Sequence, residues 1–323
     1  MKVLVTGGAG YIGSVAVEML LDEGHEVVVA DNLERGHRSA VDQRAQLEVG
    51  DLRDRDFITG LMRRLKPDAV MHFAAYALVG ESMEHPERYF ENNVGGGINL
   101  VNAMLEAGVS RIIFSSTCYT YGLPREVTIP EGADTLPVNP YGESKLMLEK
   151  ILQWYEKIHG LRPLMLRYFN AAGATESLGE DHHPETHLIP NVLRVPAGKA
   201  EYVRVFGDDY DTPDGTCIRD YIHVVDLVRA HVLALEKDLT GPLNLGTGEG
   251  YSVMQVIETA RKVTGHPIPV RMAPRRPGDP PRLVARADRA RAELDWKPVH
   301  SDLETIIRDA WRWFQAHPEG YAE

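Results

Sequence analysis

At 323 residues the chain is long enough for one large α/β domain, or for a nucleotide-binding domain with a smaller lobe. Hydrophobic residues make up 43% of it, which supplies an ample core and excludes a disordered chain. The formal net charge of −12 argues against a general nucleic-acid-binding protein, because such proteins gain affinity by neutralising phosphates.

The two cysteines, Cys118 and Cys217, give neither a disulfide framework nor a metal-binding spacing. The first predicted strand begins at residue 2, which leaves no room for a signal peptide, and no apolar run is long enough to cross a bilayer. We therefore expect a soluble, cytoplasmic protein without nucleic-acid or membrane partners.

The chain opens with a predicted strand, a glycine-rich turn and a helix. Residues 3–5 indicate a buried strand, and a helical pattern starts at Tyr11. The turn between them fits G-x-G-x-x-G and G-x-x-G-x-x-G, with glycines at positions 7, 8, 10 and 13. Such glycines allow a tight bend and the close approach of a pyrophosphate, and the helix N-terminus attracts its charge. A glycine turn alone is common, so the pattern needs support from the neighbouring elements of the chain.

A second predicted strand, residues 26–30, supplies that support. It ends at Asp31, eighteen residues after Gly13. An acid at this place takes the ribose hydroxyls of NAD and repels the 2′-phosphate of NADP. The combination predicts a dinucleotide site that prefers NAD.

Strands and helices alternate through the rest of the first half, which predicts a parallel sheet covered on both faces. A short strand ends at Gly50, and Asp51 and Leu52 follow it at a plausible seat for the adenine. Ala74 and Ala75 follow the fourth strand and leave space for the cofactor at its carboxyl end.

A long helical pattern covers about 86–107 and is interrupted by three glycines at 95–97. Each glycine inside a helix costs up to about 1 kcal/mol relative to alanine, so three together need a reason. Either another backbone approaches closely here, or the helix is locally broken.

A fifth strand, 111–115, precedes a helix that starts at Pro140 and continues to about residue 158. Tyr141 and Lys145 lie four residues apart near its start, hence on one face. A phenol needs its pKa lowered by about 3 units, roughly 4 kcal/mol, to act as a base near neutrality. An ammonium about 5 Å away supplies ~3 kcal/mol, and the positive nicotinium of NAD⁺ can supply the rest.

After a sixth strand, 163–166, the regular alternation ends. Further elements are predicted as helices near 188–198, 224–236, 252–264 and 301–316 and strands at 202–206, 242–245 and 268–271. We predict an α/β fold with a Rossmann-type doubly wound parallel sheet. Residues 1–169 would form the NAD-binding domain, segments near 215–245 would return to it, and residues 170–323 would form a smaller α/β lobe for the substrate.

Sequence motifs along nearly the whole chain carry a family resemblance. They are Thr6-Gly7-Gly8-Ala9-Gly10-Tyr11-Ile12-Gly13, His72-Phe73-Ala74-Ala75, Pro140-Tyr141-Gly142-Glu143-Ser144-Lys145, Leu166-Arg167-Tyr168-Phe169-Asn170, Arg219-Asp220-Tyr221-Ile222-His223-Val224 and Arg275-Arg276-Pro277-Gly278-Asp279. The chain resembles the extended short-chain dehydrogenase/reductase family and, within it, the UDP-glucose (UDP-galactose) 4-epimerases. The later motifs are the ones typical of nucleotide-sugar epimerases.

The resemblance implies an NAD-dependent isomerase that interconverts UDP-galactose and UDP-glucose through a 4-keto sugar. Its implied catalytic residues are Thr117, Tyr141 and Lys145. The residues implied to contact NAD are Gly7, Gly10, Tyr11, Ile12, Gly13, Asp31, Asn32, Asp51, Leu52, Phe73, Ala74, Ala75, Asn92, Ser115, Tyr141, Lys145 and Tyr168. Those implied to contact the UDP-hexose are Thr117, Asn170, His187, Leu188, Arg204, Phe206, Arg219, Arg276, Asp279 and Leu283.

The chain departs from the family at Cys118, Tyr119 and Thr120, where epimerases mostly carry small or apolar residues. These residues exclude the nucleotide-sugar 4,6-dehydratases, which place an Asp-Glu pair directly after the catalytic Thr. Leu283 stands where strictly glucose-type enzymes carry tyrosine, which predicts acceptance of UDP-N-acetylglucosamine. Tyr119 either narrows the same pocket or points back into the fold.

The sequence leaves other functions open. They are epimerisation of a UDP-N-acetylhexosamine or UDP-uronate, reduction of a nucleotide sugar, and a catalytically silent NAD-binding scaffold or sensor. Histidines and acids at 180–187 share one loop without an established metal spacing, so we predict no metal. The resemblance also implies a homodimer through the helices near 86–107 and 140–158.

Overall fold

The computed structural model describes residues 1–322. The strands are β1 (Lys2–Thr6), β2 (Glu26–Asp31), β3 (Gln46–Val49), β4 (Ala69–His72), β5 (Arg111–Thr117), β6 (Arg162–Tyr168), β7 (Asn170–Ala172), β8 (Val203–Phe206), β9 (Ile218–Arg219), β10 (Tyr221–His223), β11 (Gly241–Leu245), β12 (Tyr251–Ser252), β13 (Val270–Ala273) and β14 (Arg282–Leu283). The α-helices are α1 (Tyr11–Asp22), α2 (Arg55–Leu65), α3 (Val79–Glu84), α4 (Pro86–Tyr89), α5 (Gly96–Ala107), α6 (Pro140–His159), α7 (Leu188–Leu193), α8 (Val224–Glu236), α9 (Val253–Thr264), α10 (Asp288–Leu294) and α11 (Leu303–Ala316). Among residues 1–322, no helix is long and apolar enough to span a membrane.

Seven strands form one parallel sheet in the order β11-β6-β5-β4-β1-β2-β3. This confirms the predicted Rossmann-type fold. The chain moves outward from β1 to β2 and β3, then returns to the other side of β1 for β4. A cleft opens at such a reversal, outside the carboxyl ends of the strands, and ligands bind there in open α/β sheets.

The central strands are buried on both faces because helices cover both sides of the sheet. On β1, Val3 and Val5 belong to the apolar cluster shared with α1 and α8, whereas Leu4 belongs to the cluster shared with α2, α5 and α6. Alternation of side chains along the strand divides the core into these two layers. The floor of the cleft is therefore held rigidly from both sides.

The second half of the chain has its own smaller core. Ile189, Val203, Val256 and Ile306 lie in one apolar cluster built from α7, β8, α9 and α11. The chain between β8 and α9 returns to the main sheet: α8 packs beside α1, and β11 pairs with β6 as an edge strand of that sheet. The two halves are thus interleaved along the chain.

The helical pattern at 86–107 forms three consecutive helical pieces. Between α4 and α5, Phe90–Gly95 makes a wider π-helical turn, so the helix is neither regular nor broken there. A Cβ on Gly97 would lie 2.6 Å from the Leu148 side chain on α6. Close approach of α6 to α5 therefore accounts for this glycine.

Candidate active site

A large cleft runs between the main sheet and the smaller lobe. Its volume is about 1230 Å³, which exceeds the roughly 300–1,000 Å³ of a site for one small ligand. Every predicted site residue except Leu283 lines this cleft. Its size and lining fit two ligands that lie side by side.

The glycine turn shapes one end of the cleft. Gly7 has a φ of +75°, and a Cβ there would lie 2.5 Å from the backbone nitrogen of Ala74. A Cβ on Gly13 would lie 2.0 Å from the carbonyl oxygen of Gly7. Gly10 is the N-cap of α1 and brings no side chain, so the first amide groups of the helix face the cleft uncovered. This cradle fits a pyrophosphate group.

Asp31 ends β2 and holds the glycine turn in place. Its carboxylate accepts hydrogen bonds from the backbone amides of Ala9, at 3.0 Å, and Leu33, at 2.8 Å. Burial raises its pKa, and these two hydrogen bonds oppose the rise. Asn32 donates to Asp51 at 2.9 Å, and hydrogen bonds from Arg53 outweigh burial and lower the Asp51 pKa to about 2. This wall therefore offers carboxylate acceptors to a ribose or a base.

The start of α6 positions the two groups suited to proton transfer. The Asn139 side chain accepts a hydrogen bond from the Gly142 amide at 2.8 Å, which fixes the helix N-terminus. Tyr141 and Lys145 are both buried. The Lys145 ammonium donates to the Ser115 carbonyl at 2.8 Å, which ties α6 to the end of β5 where Thr117 stands.

The protein's own groups do not lower the Tyr141 pKa as the sequence reasoning expected. Burial raises it to about 12, although a hydrogen bond with Thr117 acts in the opposite direction. Burial also lowers the pKa of Lys145 to about 7, against the attraction of Glu149, so the lysine is a weaker positive neighbour than assumed. The i,i+4 spacing puts the pair on one face of the helix, but burial removes water from both groups and disfavours the charged form of each.

Sequence reasoning missed a buried polar network beneath the pair. Glu149 accepts hydrogen bonds from Arg167 Nε at 2.9 Å and from Ser116 Oγ at 2.5 Å. Arg167 also donates to the Tyr121 hydroxyl at 3.1 Å, and Tyr121 donates to Asn244 at 2.7 Å. The network joins α6, β5, β6 and β11 directly behind the cleft. Glu149 follows Lys145 by four residues, which was the only signal for it in the sequence.

Leu283 does not line the cleft, so its predicted contact with the sugar is not what the structure shows. Its side chain is fully buried in an apolar cluster with Cys118, Tyr121 and Phe169. Tyr119 lies between that cluster and the cleft, and its ring meets the Tyr141 ring edge-on with centroids 6.0 Å apart. Tyr119 therefore lines the cleft and does not point back into the fold.

The remaining predicted substrate residues gather at the other end of the cleft. The Arg276 guanidinium lies over the Phe206 ring, 4.0 Å from its centroid. Arg219 forms a buried ion pair with Asp279. The side-chain oxygen of Asn170 is buried without a hydrogen-bond partner among residues 1–322. Cationic groups beside an aromatic face suit a nucleoside diphosphate. Three more predicted residues line this region: His187, Leu188 and Arg204.

The acidic and histidine side chains of the loop at 180–187 lie close together, although their spacing in the sequence matches no established metal-binding pattern. Glu180, His182, Glu185 and His187 each offer one donor atom, and these four atoms all lie within 4.8 Å of one another. Burial lowers the pKa of His187, but the neighbouring carboxylates outweigh it and raise the value to about 10. We call these four residues the histidine–glutamate cluster.

Comparison with known proteins agrees with this geometry. Residues 3–246 match the model of the NAD dependent epimerase/dehydratase family. The chain is 50% identical to the UDP-glucose 4-epimerase of Lacticaseibacillus casei over 100% of this chain and 99% of that protein. Among solved structures, it is similar to UDP-glucose 4-epimerase from Bifidobacterium longum in complex with NAD⁺ and UDP, with 40% identity, 99% and 100% coverage and a TM-score of 0.96. It is also similar to the UDP-Glc/GlcNAc 4-epimerase from Campylobacter jejuni, with 41% identity, 98% and 99% coverage and a TM-score of 0.85.

Proposed function

The chain belongs to the NAD dependent epimerase/dehydratase family, and on that premise we propose that it interconverts UDP-galactose and UDP-glucose by inverting C4 of the sugar. The observation that carries this function is the shared cleft. The phosphate cradle of the glycine turn, the Tyr141–Lys145 pair and the arginines at the far end all line the same space.

The residues present fit NAD as the cofactor. Gly7 and Gly13 leave no room for side chains, and Gly10 leaves the N-terminus of α1 open to the pyrophosphate. Asp31 at the end of β2 favours ribose hydroxyls over a 2′-phosphate. Bound in this cradle, NAD⁺ would supply the hydride acceptor that makes reversible oxidation at C4 of the sugar possible.

In this proposal Tyr141 transfers the proton, and Thr117 binds the reacting oxygen. Tyr141 in its phenolate form takes the proton of the 4-hydroxyl group and returns it after the 4-keto sugar has turned over; the positive nicotinamide ring of bound NAD⁺ would favour that phenolate. Thr117, which is within hydrogen-bond reach of the phenol, holds the reacting oxygen. Lys145 is fixed by the Ser115 carbonyl, and it carries only part of a positive charge near neutral pH because burial lowers its pKa to about 7. Such positioned proton transfer contributes roughly 10²–10⁴-fold to the rate.

The far end of the cleft would hold the UDP moiety. Arg219 and Arg276 can each donate two hydrogen bonds to a phosphate, and Phe206 offers a flat face near the base. In this division, residues 1–169 with the returning segment hold NAD, and most of residues 170–323 hold the nucleotide sugar.

The test is to incubate the purified protein with UDP-galactose, without added cofactor, and to follow UDP-glucose. We expect turnover, and we expect Tyr141→Phe to reduce it by about two to four orders of magnitude. Tyr155→Phe is the matched control, since Tyr155 lies on the same helix and its hydroxyl group donates only to Asn102 among the described residues. A requirement for stoichiometric NAD(P)H would indicate a reductase, and no reaction at all would indicate a scaffold.

We also infer a homodimer that uses α6. Met147, Trp154 and Ile158 are 39%, 59% and 64% exposed, and their spacing of seven and four residues puts them on one stripe. Covering such a stripe removes apolar surface from water. Trp154→Glu should shift the protein toward monomer in sedimentation experiments, whereas Leu136→Glu, exposed outside the helices, should not.

A further inference from the structure

The histidine–glutamate cluster lies on the loop between β7 and α7, at one wall of the cleft. Its four residues are Glu180, His182, Glu185 and His187, which come from eight consecutive positions of the chain. No residue of the proposed proton transfer belongs to it. The geometry of the cluster therefore calls for an explanation of its own.

Two buried imidazole nitrogens in the cluster have no hydrogen-bond partner among residues 1–322. The Glu180 carboxylate oxygen lies 2.7 Å from Nδ1 of His187 and 3.2 Å from Nδ1 of His182, yet neither Nδ1 makes a hydrogen bond of acceptable geometry. Glu185 faces the same two nitrogens at 3.3 Å and 3.8 Å. Buried polar atoms left without partners are unfavourable, and a cation among them would satisfy all four groups.

We propose that the histidine–glutamate cluster is a binding site for one divalent transition metal ion, with Zn²⁺ as the best match. Imidazole nitrogen and carboxylate oxygen are ligands that Zn²⁺ prefers, whereas Mg²⁺ and Ca²⁺ prefer oxygen alone. Two carboxylates also balance the charge of a divalent ion when both imidazoles are neutral.

The spacing of the donor atoms fits this ion. Metal–ligand bonds of about 2.0–2.2 Å in a tetrahedral site put the ligand atoms roughly 3.3–3.6 Å apart. The observed nitrogen–oxygen distances of 2.7, 3.2, 3.3 and 3.8 Å bracket that value. The four donor atoms lie within 4.8 Å of one another, so the most distant pair has to close by about 1 Å to reach this spacing. Four protein ligands leave no open coordination position, which is the pattern of a structural metal rather than a catalytic one.

The metal would fix a loop that touches both halves of the protein. At its start, Tyr11 of the glycine-turn helix donates to the Gly173 carbonyl at 2.7 Å. At its end, Asn191 of α7 donates to the His187 carbonyl at 2.8 Å. A tetrahedral ion between these anchors stabilises the folded state, because the unfolded chain has no preformed site.

The experiment uses the full-length protein without an affinity tag. Metal is removed with a chelator, the protein is dialysed, and Zn²⁺ or Co²⁺ is added back as the metal salt alone. We expect one tightly held Zn²⁺ per chain by elemental analysis, a higher melting temperature with Zn²⁺, and the visible absorption of tetrahedral Co²⁺. His182→Asn should reduce the retained metal at least tenfold and abolish the Co²⁺ spectrum.

His183→Asn is the matched control, because His183 is the next residue, is 81% exposed and lies outside the cluster. It should bind metal like the parent protein. Glu185→Gln provides a second variant that conserves shape if His182→Asn does not fold. Absence of Zn²⁺ binding in the parent, or equal binding by the parent and either cluster variant, would overturn the proposal. The cluster would then be two imidazolium–carboxylate ion pairs. None of these measurements depends on epimerase activity.

Discussion

Removing the charge of Glu149 should destabilise the protein strongly, although Glu149 touches no ligand in the proposed reaction. Its side chain is 1% exposed and accepts three hydrogen bonds from Arg167, at 2.9 Å, 3.2 Å and 2.5 Å. In Glu149→Gln the Arg167 guanidinium stays buried without its counter-charge. Breaking one side of a buried ion pair in this way costs about 3–5 kcal/mol.

That loss is large relative to a total stability of roughly 5–15 kcal/mol, but it leaves the protein folded at room temperature. It corresponds to a decrease in melting temperature on the order of 4–7 °C for a chain of this size. Thermal and denaturant unfolding of the parent and Glu149→Gln measure both quantities. Glu156→Gln is the control, since Glu156 lies on the same helix and has no ion pair within residues 1–322.

The double variant Glu149→Gln/Arg167→Met separates the pair from its surroundings. It removes both charges, so it should lose less stability than the sum of the two single variants, by at least about 1 kcal/mol. Additive losses would show that the two side chains are not energetically coupled. A melting temperature of Glu149→Gln equal to that of Glu156→Gln would refute the reasoning altogether.

Three further predictions concern the cleft. Asp31→Asn should bind NAD with less preference over NADP, because it removes the charge that repels a 2′-phosphate. The nucleotide released when the parent protein is denatured should be NAD, and release of mainly NADP would contradict the assignment. Burial lowers the Lys145 pKa to about 7. Between that value and about 10.4 the unfolded chain binds one proton more than the folded chain, so stability rises with pH. The cofactor-free parent should therefore gain about 1.4 kcal/mol per pH unit relative to Lys145→Met between pH 7 and 9, and equal pH dependence of the two proteins would count against it. Tyr119→Val should increase the turnover of UDP-N-acetylglucosamine relative to UDP-galactose. Leu283→Tyr should mainly lower the free energy of unfolding by about 1–3 kcal/mol, because the larger side chain overpacks a closed cluster. A change in substrate specificity without a loss of stability in Leu283→Tyr would contradict the observed burial of Leu283.

Local patterns predicted the parts of the molecule that local geometry decides. The strand–turn–helix around Gly7, Gly10 and Gly13, the acid at Asp31 and the cap that starts α6 each depend on residues close in sequence. The parallel sheet followed from the alternation of strands and helices. The turn, the acid and the cap are each determined by residues that lie close together in the sequence.

Features that depend on distant residues could not be read in this way. The partner of Glu149 is Arg167 on another strand, and the Leu283 side chain is covered by residues from three other segments. The family resemblance places Leu283 beside the sugar by its position in the sequence, whereas in the structure its side chain is buried among these neighbours. The histidine–glutamate cluster depends on how one loop folds back on itself, which no spacing rule described.

The interleaved connectivity of the two halves bears on how the protein is made in the cell. The edge strand β11 is Gly241–Leu245, so a nascent chain has a six-stranded sheet until about three quarters of it has been synthesised. Until then β6 presents an open edge of unpaired amides and carbonyls, a template for wrong partners. A fragment that stops at residue 169 lacks both β11 and α8, so it should aggregate rather than serve as a portable cofactor-binding module. Exchange of lobes between relatives would have to move two separated stretches of the gene together.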